Sequence, residues 1–355
     1  MDTQASKIDI LSLSLDELSE KIVEIGEPKF RAKQIFSWIN KGMFGSEMTN
    51  ISVALQNKLE GVFEFRLPKV KKRLVSKLDG TIKYLFELID GEQIESVFME
   101  YEHGNTLCIS SQVGCRMGCK FCASTLAGRV RDLTPSEMLG QIISAQRDTG
   151  KRISNVVMMG IGEPLDNYDN VIKFLRLVSS ENGLNIGLRH ISLSTCGLVD
   201  KIDMLSNEGL PITLSISLHA YDDEVRSQIM PVNKKYPIGE LLKACDRYFN
   251  KTGRRISFEY TLIAGKNDTR EGALALASLL KKYLKSSQHV NLIPLNEVSE
   301  TGLRTSKNVN LFKNTLLSQG INATVRRKLG SDINASCGQL RRQEAIKKID
   351  KEDTK

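Results

Sequence analysis

The sequence predicts an α/β chain in which a partial barrel of six βα units follows a small helical domain and an antiparallel β meander. Three observations carry this reading. Apolar residues recur at helical spacing as far as Gly61, the period changes to two between Val70 and Met99, and beyond residue 105 strand-like runs alternate with amphipathic stretches, as parallel βα units require. The predicted boundaries are 1–68 for the helical accessory domain, 69–104 for the meander, 105–330 for the barrel and 331–355 for a C-terminal segment with a charged tail from Lys347. With 41% hydrophobic and 26% charged residues over 355 positions, the chain can bury a sizeable core and is not a disordered one.

In the helical domain, Ser14 followed by Glu17 resembles a capping box, and Leu15, Leu18, Ile22 and Ile25 then recur at helical spacing up to Gly26. A second helix starts after Pro28, with Phe30, Ile35, Phe36 and Ile39 on its apolar side and Lys29, Arg31, Lys33 and Lys41 on a basic one. A third covers Ile51 to Leu59 and ends at Gly61. The basic surface is either a nucleic-acid contact or a solvated face. In the meander Ile82, Tyr84, Phe86 and Leu88 alternate, and Asp79-Gly80 and Asp90-Gly91 are hairpin turn signals. Glu95 shares a strand side with Val97 and Met99, which makes it either an edge charge in solvent or a carboxylate set among apolar groups.

The barrel strands are predicted at Thr106–Ser111, Asn155–Gly160, His190–Thr195, Ile212–Leu218, Ile256–Ile263 and Val290–Leu295. Helices at Pro135–Arg147, Asn167–Ser179, Ile238–Asn250 and Thr269–Tyr283 lie between them. An active site belongs at the carboxyl ends of such strands. The sequence shows neither an export signal nor an apolar run of membrane length, which predicts a soluble, cytoplasmic protein. A net charge of +8 favours polyanionic partners weakly, and seven cysteines without an export signal point to metal or thiol chemistry in a reducing compartment.

Cys115, Cys119 and Cys122 have the spacing CxxxCxxC directly after the first barrel strand. Structural zinc asks for a fourth ligand, and the chain has no second CxxC and no His-x-x-x-His. A 4Fe-4S cluster held by three local thiolates keeps one iron open to a small molecule. The bland alternative is three unrelated buried cysteines. Gly160-Ile161-Gly162-Glu163-Pro164 closes the second strand and, by itself, is only a glycine-rich turn. On the fourth strand Thr213, Ser215, Ser217 and His219 share one side, and such inward polar groups need partners, which a polar ligand can supply. Cys337 lies in a polar, Gly-flanked stretch after Arg326-Arg327-Lys328, where cations favour thiolate, and is a candidate nucleophile. Cys108 sits on the first barrel strand; Cys196 and Cys245 read as packing.

The cysteine octet resembles the signature of the radical S-adenosylmethionine superfamily, which implies a 4Fe-4S cluster and reductive cleavage of S-adenosylmethionine to a 5'-deoxyadenosyl radical. The segments Leu107 to Cys115, Ser217 to Ala220, Met230 to Asn233, Val290 to Asn296 and Cys337 to Leu340, with Phe30 to Phe36 in the helical domain, resemble the RlmN family of adenine-C2 methyltransferases acting on ribosomal and transfer RNA. The resemblance implies that Cys115, Cys119 and Cys122 ligate the cluster. It implies that Gly162, Glu163, Ser194, Ser217, Leu218, His219 and Asn296 line the S-adenosylmethionine pocket. Cys337 would carry the methyl group, Cys108 would form a transient disulfide with it, and Glu95 would accept the C2 proton. Two S-adenosylmethionine molecules per turnover, 23S rRNA and tRNA as substrates, a flavodoxin- or ferredoxin-type electron donor and a monomeric state follow from the same resemblance. Arg326, Arg327, Lys328, Arg341 and Arg342 are candidate phosphate contacts. The rival readings are the sister family that methylates adenine C8 and a non-catalytic iron-sulfur RNA-binding protein.

Overall fold

The computed structural model describes residues 7–285, 289–296, 301–335 and 340. Cys337, Arg341, Arg342 and the charged tail lie outside them.

The capping box is made: Ser14 Oγ accepts from the Glu17 N–H at 3.1 Å while the Glu17 carboxylate accepts from the Ser14 N–H at 2.7 Å, and this fixes the start of α1 (Leu15–Glu24). Leu18 and Ile22 of α1 join Ile35, Phe36 and Ile39 of α2 (Phe30–Ile39) and Leu55 and Leu59 of α3 (Val53–Val62) in the core. Phe30 departs from its predicted side. It occupies the first position of α2, ahead of the buried residues, and stands 59% exposed with the Arg31 guanidinium over its ring. Helix α3 also runs through Gly61 to Val62, and a short parallel pair, β1 (Ile8–Asp9) with β2 (Phe63–Glu64), closes the module.

Strands β3 (Lys69–Val75), β4 (Ile82–Glu87) and β5 (Gln93–Tyr101) form the meander, with Gly80 and Gly91 at φ +73° and +83° in its turns, where a side chain would be strained. The meander joins the barrel directly. β5 pairs antiparallel with β6 (Gly104–Cys108), and β6 pairs parallel with β9 (Ile153–Met158), so the predicted 104/105 boundary falls inside one sheet. Between them lie the small hairpin β7 (Gln112–Gly114) and β8 (Arg129–Asp132), which brackets the cysteine loop, and α4 (Pro135–Thr149). The chain continues through α5 (Tyr168–Val178), β10 (Ile191–Thr195), α6 (Val199–Leu205), β11 (Thr213–Ser217), α7 (Asp223–Ile229), α8 (Ile238–Thr252), β12 (Ile256–Leu262), α9 (Arg270–Tyr283), β13 (His289–Pro294), α10 (Val309–Ser318) and β14 (Asn322–Val325).

One ten-stranded sheet results, in the order β14-β13-β12-β11-β10-β9-β6-β5-β4-β3 and parallel from β6 to β14. The six predicted barrel strands are present, and β14 adds a seventh at the open edge. Leu193, Leu214, Ile216, Phe258, Tyr260, Val290 and Leu292 pack with Leu241, Leu242, Leu276, Leu280 and Phe312 of the covering helices. Each such side chain contributes roughly 1.5–3 kcal/mol by leaving water. Polar side chains of the same strands face the barrel interior. Among the described residues no helix is long and apolar enough to cross a membrane.

Candidate active site

The cysteine loop is pinned at both ends before any ligand is considered. Cys115 N–H donates to the Gly128 carbonyl at 2.9 Å, and Lys120 N–H donates to the Ile229 carbonyl at 2.9 Å. Arg116 grips Asp166 with two hydrogen bonds, Nε to Oδ2 at 3.0 Å and Nη2 to Oδ1 at 2.5 Å. Gly114 has φ +79°, and a Cβ there would strike the Gly128 carbonyl, so only glycine lets the β7–β8 hairpin close.

The turn from Gly160 to Pro164 is seated against this loop. Gly162 has φ +108°, and a Cβ on it would overlap Gln112; this close approach lets Glu163 N–H donate to Gln112 Oε1 at 2.9 Å. The Glu163 carboxylate accepts from the backbone N–H of Cys196 at 2.7 Å and of Leu165 at 3.0 Å. Burial raises its pKa, opposed by those hydrogen bonds. Glu163 thereby ties the end of β10 to the end of β9.

Cys115, Cys119 and Cys122 line a cavity of about 270 Å³ together with Gly162, Glu163, Ser194, Ser217, His219 and Asn296. Nine of the predicted pocket and cluster residues thus meet in one place. Leu218 does not: its side chain is in the core, its N–H donates to the Glu259 carbonyl at 3.1 Å and its carbonyl accepts from Arg226 at 3.1 Å. Cys196, which reads as packing, does pack with Cys119 but also lines the cavity, while Cys245 is wholly buried in α8. The polar side of β11 faces inward, with Ser217 Oγ 3.4 Å from Ser194 Oγ and Ser215 Oγ 3.2 Å from Ser192 Oγ.

His219 is held at φ +55°, and its Nδ1 accepts the Thr261 N–H at 2.9 Å, which leaves Nε2–H to meet a ligand. Burial, with Arg226 nearby, lowers its pKa to about 3, so it is a neutral donor. The three thiols are pushed up, Cys115 to about 12, chiefly by burial. Any metal must therefore displace protons from neutral thiols. Among the described residues no three His, Cys, Asp or Glu side chains converge on a single-ion site. Three separate thiols lining one cavity with polar side chains fit a 4Fe-4S cluster that keeps one iron open.

A second cavity, of about 430 Å³, shares Met159, Gly160, Ile293, Pro294, Leu295, Asn296 and Arg326 with the first and continues to Glu95 and Cys108. Val97 stands opposite Cys108 in the β5–β6 register, so Glu95, two residues along, faces the same way. Glu95 is not an edge charge in solvent. It is 1% exposed and paired at 3.1 Å with Lys83, equally buried, whose Nζ also donates to the Asn334 carbonyl at 2.9 Å. Arg326, Arg327, Lys328, Asn334 and Ala335 line the far wall. Ser76 Oγ and Lys77 N–H donate to Asp332 at 2.7 and 2.8 Å, and Gly330 N–H donates to Asp79 at 2.8 Å, fastening this segment to the β3–β4 turn.

Sequence reasoning overlooks Glu259, Arg226 and Lys83. Glu259 lines the first cavity and accepts from Asn291 Nδ2 at 2.8 Å; its signal was available in the alternation of Ser257, Glu259 and Thr261 on β12. Lys83 gives no comparable signal, because its partner depends on the β4–β5 register.

Comparison with known proteins adds independent findings. Residues 109–277 match the Radical SAM superfamily and residues 8–65 match the ribosomal RNA large subunit methyltransferase N-terminal domain. A Clostridium tetani protein named probable dual-specificity RNA methyltransferase RlmN is 53% identical over 95% of this chain and 96% of its own length. A Clostridium botulinum protein of the same name is 57% identical over 94% and 96%. The crystal structure of a radical SAM methyltransferase from Sphaerobacter thermophilus superposes with TM-score 0.89 at 41% identity, covering 94% of this chain and 98% of that one.

Proposed function

The chain belongs to the RlmN family of dual-specificity RNA methyltransferases, and from that premise we propose that it methylates C2 of an adenine in 23S ribosomal RNA and in transfer RNA. It is a radical S-adenosylmethionine enzyme that uses a 4Fe-4S cluster. The observation that carries the residue assignments is the continuity of the two cavities, which joins the cysteine trio to Glu95 and Cys108 through Asn296 and Arg326.

In this reading Cys115, Cys119 and Cys122 hold the cluster. When bound, the cluster and S-adenosylmethionine supply radical chemistry, which adenine C2 requires because that carbon is electron-poor and offers no nucleophile. Ser194, Ser217, His219 and Asn296 orient the S-adenosylmethionine. Glu163 acts through the turn that it ties together, and Leu218 contributes frame instead of wall. Cys337 carries the methyl group; Ala335, two residues earlier in the sequence, packs against the cluster of Val97, Met99 and Cys108. Glu95, which faces the Lys83 ammonium at 3.1 Å, accepts the C2 proton. Cys108, as thiolate, then attacks the Cys337 sulfur: an S–S bond forms, the bond from sulfur to the RNA-borne methylene breaks, and that carbon keeps the electron pair and takes up a proton from solvent to complete the methyl group. Two S-adenosylmethionine molecules serve each turnover, one as methyl donor and one as radical source. A one-electron donor of flavodoxin or ferredoxin type, a monomeric state and a cytoplasmic location complete the proposal.

RNA approaches over Arg326, Arg327 and Lys328, with the exposed Lys29, Lys33 and Lys41 of the helical module as further phosphate contacts. The test is anaerobic reconstitution with S-adenosylmethionine and a ribosomal RNA fragment, followed by nucleoside mass spectrometry. 2-Methyladenosine is expected. 8-Methyladenosine, or 5'-deoxyadenosine without methylated base, would overturn the assignment.

A further inference from the structure

Arg226 on α7 is completely buried, yet among the described residues every hydrogen bond it makes goes to a neutral oxygen. Nε donates to the Leu218 carbonyl at 3.1 Å, and Nη2 donates to the carbonyls of Cys196 at 2.7 Å and Ser217 at 3.2 Å. Nη1 donates to Asn233 Oδ1 at 3.0 Å and to the Tyr236 carbonyl at 3.4 Å. The carboxylate linked to it is that of Asp223, an exposed residue reached only through the amide of Asn233, whose Nδ2 donates to Asp223 Oδ1 at 3.0 Å. Burying a full charge is costly unless an opposite charge faces it. Hydrogen bonds to carbonyls satisfy the donors, but they supply no anion.

The Glu163 carboxylate is engaged by the Cys196 and Leu165 N–H groups, one peptide away, and makes no hydrogen bond to Arg226; the cysteine loop is where further negative charge arises when a cluster binds. Cys119 and Cys196 pack with Ile229 and Met230 at the end of α7, and Lys120 N–H is bonded to the Ile229 carbonyl. Cys196, whose carbonyl Arg226 holds at 2.7 Å, packs directly against Cys119. Three thiolates make a bound 4Fe-4S cluster net negative, and one-electron reduction makes it more so.

We propose that Arg226 is the countercharge of the iron-sulfur centre: a positioning residue whose buried cation stabilises the reduced cluster, while its fork holds the strand ends that carry Cys196 and Ser217. The inference rests on the cluster assignment to Cys115, Cys119 and Cys122. In the redox step the cluster gains one electron and a low-potential one-electron reductant loses one; no proton moves.

The test compares Arg226→Gln and Arg226→Lys with the unaltered protein, each first assayed for iron and sulfide so that a failed cluster assignment is recognised separately. Titanium(III) citrate titration of the holoprotein, read by the EPR signal of the reduced cluster, should show the reduced-to-oxidised ratio at fixed potential falling at least tenfold in the Gln variant. That corresponds to about 59 mV for one electron. The Lys variant should stay within about threefold. Equal ratios in all three proteins, or equal losses in Gln and Lys, would overturn the proposal. The apo-proteins give a second decision, because without the cluster the charge has no anion to face. Apo Arg226→Gln should then be at least as heat-stable as apo Arg226→Lys. If the Gln apo-protein is insoluble while Lys is sound, or if neither folds, the guanidinium is a structural fork and the countercharge role is refuted.

Discussion

Replacing Glu95 by Gln tests the base and its surroundings together. Glu95 and Lys83 are each 1% exposed and 3.1 Å apart, so the amide keeps the carboxylate's shape while removing the negative charge that the buried ammonium faces at that distance. Removing one partner of a buried pair costs about 3–5 kcal/mol. With an unfolding entropy of roughly 2.1 cal/mol/K per residue over 355 residues, about 0.75 kcal/mol/K in all, the melting midpoint should fall by about 4–7 °C. Lys83→Met should cost a similar amount. The double variant removes both members of the pair and should recover about 2–3 kcal/mol of the summed loss. Calorimetry of the four proteins measures this cycle. On the functional side, Glu95→Gln should slow decay of the protein-RNA adduct without weakening S-adenosylmethionine binding. Single losses below about 1 kcal/mol, or losses that simply add, would refute the buried-pair argument, and unchanged turnover would remove Glu95 from the reaction.

Cys337→Ala should abolish methyl transfer with iron content intact, and a fully active variant would contradict its role. Cys108→Ala should trap a covalent RNA adduct visible by denaturing gel. Burial pushes the Cys108 thiol up, with Arg326 opposing, and only the thiolate attacks; adduct resolution should therefore keep accelerating above pH 8.5, and a flat rate from pH 7 to about 9 would count against it. The carboxylates of Asp332 and Asp79 lie below the ordinary range, Asp332 through the Ser76 hydroxyl and Asp79, despite its burial, through the Gly330 N–H. Depressed pKa values mean that their tethering is present above about pH 3.9 and lost as pH falls through the folded values. The Asp79→Asn/Asp332→Asn variant should accordingly show, at neutral pH, the faster amide exchange at Gly330 and Ala335 that the parent shows only in acid, with methyl transfer slowed several-fold.

That Cys115, Cys119 and Cys122 share one cavity was legible because they are neighbours in sequence, and their spacing, without a second CxxC in the chain, speaks for an open three-thiolate site over zinc. The inward side of β11 was legible for a related reason, since a period of two survives in any register. Long-range partners were not. Lys83 meets Glu95 only because Leu85, not Lys83, stands opposite Glu95 in β4–β5, which places the pair diagonally on one face. Arg226 looks like an ordinary helical surface residue until the fold folds α7 over the strand ends. Leu218 adjoins real pocket residues in sequence, but alternation turns its side chain into the core. The last helix and strand, α10 and β14, give weak patterns: β14 has four residues, of which only Ala323 is buried.

Because Val97 and Cys108 are register partners across β5 and β6, the spacing between Glu95 and Cys108, the proposed proton acceptor and resolving thiol, is set by the sheet backbone and not by a loop. Trimming the protein to its catalytic barrel by cutting near residue 104 would therefore not produce a minimal enzyme. It would discard the acid-bearing strand and leave β6 as a raw edge open to pairing with other molecules, a recipe for aggregates. Tags and fusions are better placed at the solvent-exposed hairpin tip around Asp90-Gly91 than anywhere along that seam.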